Sequence, residues 1–130
     1  MAVAVQHDSE AQDGWLRAGP ALVESEDFGF LMANLYPRET GLPMTVWAGP
    51  HAGARHDERV KVCMIPGDVM RADQLATVAV RPEPKLLHGQ LTTANFALVA
   101  AWIALDRVAI ISYWDGELGT GEFTTALRRL

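Results

Sequence analysis

Between positions 91 and 114 the chain reads LTTANFALVAAWIALDRVAIISYW, and no other segment carries enough apolar residues at helical spacing to cover a sheet. Phe96, Val99, Ala100, Ile103, Ile110 and Trp114 recur at steps of three, four or seven, the mark of one buried helix face. Thr92 is placed to cap the first turn, with Leu91 before it and Phe96 at the spacing of a hydrophobic staple. Asp106 is the one acid in the stretch, and Leu105 and Ile110 repeat the staple spacing around it. That pattern predicts two consecutive helices with a break near Asp106, a single continuous helix being the alternative.

Upstream the period changes to two. Residues 44–48 set Met44, Val46 and Ala48 against Thr45 and Trp47, which reads as a half-buried strand. Residues 59–64 set Val60, Val62 and Met64 against Arg59, Lys61 and Cys63, and residues 76–81 set Ala76, Val78 and Val80 against Thr77, Ala79 and Arg81. Residues 28–36 are apolar on both alternating sets and read as a strand covered on both sides, or a short helix. Pro37, Gly41 and Pro43 mark a turn. Pro82 and Pro84 lack the N–H that a ladder needs and are expected to close the sheet, leaving residues 85–90 as a connector. The helices are expected to end at Gly116. A last short helix should start at Thr120, with Glu122 at its positive end and Arg128 and Arg129 at its negative end. Strands first and helices last is the order of an α+β domain. The expected fold is a three- or four-stranded antiparallel sheet over residues ~28–81, followed by two or three C-terminal helices over residues ~92–129 packed on one face.

The chain's 130 residues make one domain's worth, and with 49% of them hydrophobic the core needs no metal or disulfide. The net charge of −5 is unevenly placed: residues 1–27 hold six acids and one base, whereas from Phe28 onward ten acids meet ten bases. Residues 1–27 therefore read as an acidic N-terminal arm, partly disordered or docked with Trp15 and Leu16 as its anchor, and residues 28–130 as a single α+β domain. A neutral body gives no support to general nucleic-acid binding. The longest apolar run, residues 96–105, is too short to span a bilayer, and the first residues lack the pattern of a signal peptide. With Cys63 as the single cysteine, the expected location is cytoplasmic.

Several pieces have a familiar wording. MTVWAG (44–49), ARHDERVKV (54–62), TVAVRPEPKLLHGQL (77–91), VAAWIALDR (99–107) and IISYW (110–114) resemble a family of small bacterial domains of unknown function often encoded beside toxin–antitoxin genes. NLYPRETGLPM (34–44), ARHDERVKV and YWDGE (113–117) are similar to short uncharacterised proteins of alphaproteobacterial type. The broader family has a Pro-Pro-His-rich loop where this chain has Pro50, His51, Arg55 and His56. The resemblance implies a strand–loop–strand–helix order and brings no catalytic residue with it.

The chemistry-bearing candidate is the loop GPHAGARHDER, in which His51, His56 and Asp57, with Glu58 beside them, could grip a metal if His88 closed on them. The spacing matches neither a structural nor a catalytic zinc motif, so the simpler expectation is a hairpin loop ordered by His56 and Asp57 through its own backbone. Ser9, Ser25 and Ser112 lack a nucleophile elbow, the glycines form no phosphate loop, and no catalytic residue or cofactor is expected. The better candidate is a surface. If the strands pair as read, Thr45, Trp47, Arg59, Lys61, Thr77 and Arg81 share the face away from the helices, a basic patch with one large aromatic of the kind enriched at interfaces. The expected function is a non-catalytic protein-interaction module, with a protein partner or self-association as a dimer and no membrane. A single-stranded nucleic-acid platform is disfavoured but open, and a metal-dependent or nucleic-acid-processing enzyme using the loop from His51 to Glu58 is the alternative.

Overall fold

The computed structural model describes residues 15–17, 32–51 and 55–130. In chain order the elements are β1 (Trp15–Arg17), β2 (Ala33–Leu35), α1 (Pro37–Thr40), β3 (Met44–Ala48), β4 (Arg59–Pro66), β5 (Leu75–Ala79), β6 (Lys85–His88), β7 (Gln90–Thr92), α2 (Thr93–Leu105), α3 (Arg107–Trp114) and α4 (Thr120–Ala126). An antiparallel meander, β2-β3-β4-β5-β6, forms a five-stranded sheet, and β1 pairs with β7 in a separate two-stranded one. The fold is α+β, with α2, α3 and α4 after the strands.

One expectation is corrected. The sheet does not close at Pro82 and Pro84: these prolines lie in the link between β5 and β6, where no ladder donor is required, and the supposed connector supplies β6 and β7. Of the strand expected over residues 28–36, residues 28–31 lie outside the described residues; within the rest Ala33–Leu35 pairs, and Pro37 then starts a single helical turn, with the Glu39 carboxylate accepting the Tyr36 N–H at 2.8 Å.

Helix starts and stops follow side-chain chemistry. Thr92 Oγ1 accepts the Asn95 N–H at 3.0 Å and caps α2. The break falls at Asp106, where α2 and α3 bend by 73°; no single helix among the described residues is long and apolar enough to cross a membrane. Asp106 does not cap α3 with its side chain, as the staple spacing had suggested. Its Oδ1 instead accepts the backbone N–H of Arg128 at 2.8 Å, tying the chain after α4 to the helix junction. Glu122 accepts the Gly119 N–H at 2.8 Å at the start of α4, while Arg128 and Arg129 lie beyond its end.

The core lies between the helices and one sheet face. Val46, Val60, Val62, Ala76, Val78 and Val80 meet Val99, Trp102, Ile103, Ile110, Tyr113 and Phe123. Tyr113 and Phe123 stack at 4.3 Å, joining α3 to α4. Each large side chain so removed from water contributes about 1.5–3 kcal/mol before the entropy of ordering it is subtracted.

Two glycines are required by geometry. Gly41, at φ +82°, ends α1, and a Cβ there would stand 2.7 Å from the Leu130 carbonyl oxygen; Leu130 N–H donates to Thr40 O at 2.8 Å. Gly89, at φ +81°, turns the chain from β6 to β7 with a would-be Cβ 2.8 Å from the Ala76 Cα.

Candidate functional site

The register puts Asn34, Trp47, Lys61, Thr77 and His88 opposite one another in a row across β2 to β6, on the face away from the helices. Trp47, Lys61 and Thr77 are thus brought together as the alternation implies. They are not presented to solvent: Trp47 and Thr45 are 0% exposed, Thr77 3% and Lys61 5%, while Arg59 and Arg81 at the strand ends are half-buried. Thr45 Oγ1 donates to the Gly67 carbonyl at 3.1 Å, and Trp47, Arg59 and Lys61 each have an interaction partner. The expected open basic patch is therefore corrected to a second buried face. Alternation reports which residues share a side, but it does not report whether that side is covered. Part of the expected arm docks, since the backbone of Trp15–Arg17 pairs with Gln90–Thr92. Docking of the rest of residues 1–27 on the sheet face lies outside the described residues.

At one end of the sheet the loop before β4 meets the end of α3. His51 N–H donates to the Trp114 carbonyl at 2.9 Å, its ring stands edge-on to the indole at 5.0 Å, and the His56 ring lies 5.6 Å from the same indole. His56 Nδ1 is 2.8 Å from the carbonyl oxygen of Asp57, the self-bonded loop expected from the residues. Glu58, 1% exposed, forms an ion pair with Arg81, and this carboxylate, with Asp115 and Asp57 adding, raises the guanidinium pKa. Among the described residues no three His, Cys, Asp or Glu side chains group as they would around a metal ion, and His88 is registered opposite Thr77 on β6. Two imidazoles on an indole and a carboxylate against a guanidinium make a pin that joins loop, sheet and α3.

Elsewhere the helical layer shows what the periodicity argument missed. α2 contains no charged residue, and its inner side holds Val99, Trp102 and Ile103 in the core. Its other side, Ala94, Ala97, Leu98, Ala101 and Ala104, is exposed, Leu98 at 41%. Helices apolar all round are ordinarily covered all round. The signal was legible in the absence of any charge across the helix, but attention to the buried stripe alone passed over it. Val108, 79% exposed at the start of α3, extends the apolar surface toward a groove of about 340 Å³ whose walls include Leu105, Val108, Ala109 and Leu118. Asp106 and Arg128 stand at its polar end, where burial raises the Asp106 pKa against the opposing effect of the Arg128 N–H and charge.

Comparison of the chain with family models, with curated proteins and with solved structures gives no match to any of them.

Proposed function

We propose that the chain is a cytoplasmic, non-catalytic protein-interaction module, and that it makes its contact through the outer side of α2 rather than through the sheet. The observation that carries this reading is the exposed, uncharged row Ala94, Ala97, Leu98, Ala101 and Ala104 on a helix with no charge anywhere along it. The sheet face with Trp47 and Lys61 is already buried and would have to be uncovered before it met a partner. The partner is a second copy or a small protein encoded beside this one. The resemblance to bacterial domains found near toxin–antitoxin genes belongs to the same proposal and rests on MTVWAG, ARHDERVKV, TVAVRPEPKLLHGQL, VAAWIALDR and IISYW. Leu98→Glu should abolish retention of the partner while leaving the circular dichroism spectrum unchanged. Retention at full strength by the variant would refute the α2 surface.

A second reading, a metal-dependent or nucleic-acid-processing enzyme, rests on Glu58, a buried carboxylate whose Oε1 has no hydrogen-bond partner among the described residues, beside the loop that carries His51 and His56. Elemental analysis of untagged protein tests it. A stoichiometric ion lost in His56→Ala would favour it over the interaction module.

A further inference from the structure

The groove bounded by the α2–α3 junction and the chain around α4 has the composition of a small-molecule site, apolar walls closed at one end by a single charged pair. Leu105, Val108, Ala109 and Leu118 contribute to the walls, and Asp106 and Arg128 form the end. The Asp106 side chain is only 1% exposed; its Oδ1 takes the Arg128 backbone N–H at 2.8 Å, while Oδ2 accepts no hydrogen bond among the described residues. A carboxylate oxygen left so in apolar surroundings costs free energy that a donor arriving from the groove would recover. Arg128 is placed to admit one. Its guanidinium is 70% exposed, has Nε 3.9 Å from Oδ1 and donates through Nη2 to the Leu105 carbonyl. An ordinary rotamer change of such an exposed side chain moves it off the carboxylate, and its other N–H groups are left for a ligand.

We infer that this groove binds a free α-amino acid with an aliphatic side chain, its ammonium on Asp106 Oδ2, its carboxylate on the Arg128 guanidinium and its side chain against Leu105, Val108 and Leu118. Charge balance selects this class. The acid and the base at the end of the groove neutralise one another, so an amine alone would bring a cation to Arg128 and a carboxylate alone an anion to Asp106, whereas a zwitterion answers both. In an α-amino acid the two charged groups share one carbon, a spacing of the same order as the 3.9 Å between the protein groups, and the side chain leaves that carbon toward the walls. The volume of about 340 Å³ lies at the lower end for small-molecule clefts and suits one amino acid.

Leucine titrated into the full chain from about 0.1 to about 50 mM should move the Val108 and Leu118 methyl resonances in a saturable way, the range in which so small a ligand is held. Isocaproate, which lacks the ammonium, leucinamide, which lacks the carboxylate, and glycine, which lacks the side chain, should each bind at least about tenfold more weakly, the scale of one lost charge-assisted contact. Asp106→Asn keeps an acceptor for the Arg128 N–H and Arg128→Ala keeps that N–H itself, so both variants should fold by circular dichroism and both should lose leucine affinity by a similar factor. Arg128→Ala lies at an exposed position and decides the matter even where Asp106→Asn unfolds. It should not weaken leucinamide, a result that a merely structural role for the arginine would not give. No saturable shift with leucine, equal affinity for leucinamide or isocaproate, or unchanged leucine binding in Arg128→Ala would each overturn the proposal.

Discussion

On the sheet, Val62 faces the helices and its neighbour Lys61 faces the other way, and both are buried; on α2, Ile103 faces the sheet and Ala101 faces the other way, and only Ile103 is buried. The sheet's second side is chemically mixed, with Trp47, Lys61, Thr45 and Thr77, yet it is covered. The second side of α2 is uncharged and, from Ala94 to Ala104, lined by alanines and Leu98, yet it is open. Hydrophobicity alone therefore does not decide which surface is closed within one chain. A tryptophan and a lysine can be buried where each side chain has an interaction partner, and alanines can be left in water at small cost because each exposes little area.

Substitutions on both sides of both elements sharpen this contrast. Trp102→Ala and Trp47→Ala should each cost about 3–5 kcal/mol in denaturant unfolding, since both indoles are 0% exposed. A loss under about 1 kcal/mol at Trp47 alone would mean that the second sheet side is only nominally a core. Ile103→Ala should cost about 2–5 kcal/mol, and an unchanged melting temperature would remove α2 from the core. Asp106→Ala should cost about 1–3 kcal/mol by orphaning the Arg128 N–H. Asp106→Asn should behave differently, keeping an acceptor oxygen without a buried charge. Burial raises the folded-state pKa of Asp106 above its ordinary carboxyl value, so the folded chain holds a proton that the unfolded chain has released. Stability of the native chain relative to Asp106→Asn should then fall as pH rises from the ordinary carboxyl value through the raised one, as melting curves taken across that interval would record. The smallest effect belongs to Leu98→Glu, within about 0.5 kcal/mol in dilute solution; a large loss there would show that this side of α2 is closed after all.

The helical half was legible because its signals are local: Thr92 caps α2, the break falls at Asp106, and Thr120 opens α4. The strands β3, β4 and β5 were legible from alternation, with ends shifted by one or two residues. β6 was not, because Lys85-Leu86-Leu87-His88 has no alternation and two prolines stand before it. The cover over Trp47 and the meeting of His51 with Trp114, far along the chain, depend on how distant segments pack, and neither residue pattern encodes that by spacing. The Asp106 carboxylate looked like a helix cap because capping is the commonest local use of an acid at a helix start; its true partner, Arg128, is supplied by tertiary folding.

The meander of the five-stranded sheet also sets an order in time. Each of β2 to β6 pairs with its immediate neighbour along the chain, so the sheet can assemble hairpin by hairpin with short loops to close. The pairing of Trp15 with Thr92 closes a far longer loop and has to wait until β7 is in place. During synthesis all five strands leave the ribosome before the first turn of α2, and the valine face of the sheet has no lid until the last quarter of the chain arrives. The nascent chain is therefore most prone to sticking late, when the sheet exists and its helices do not, and that is the interval in which a chaperone would do the most for its yield.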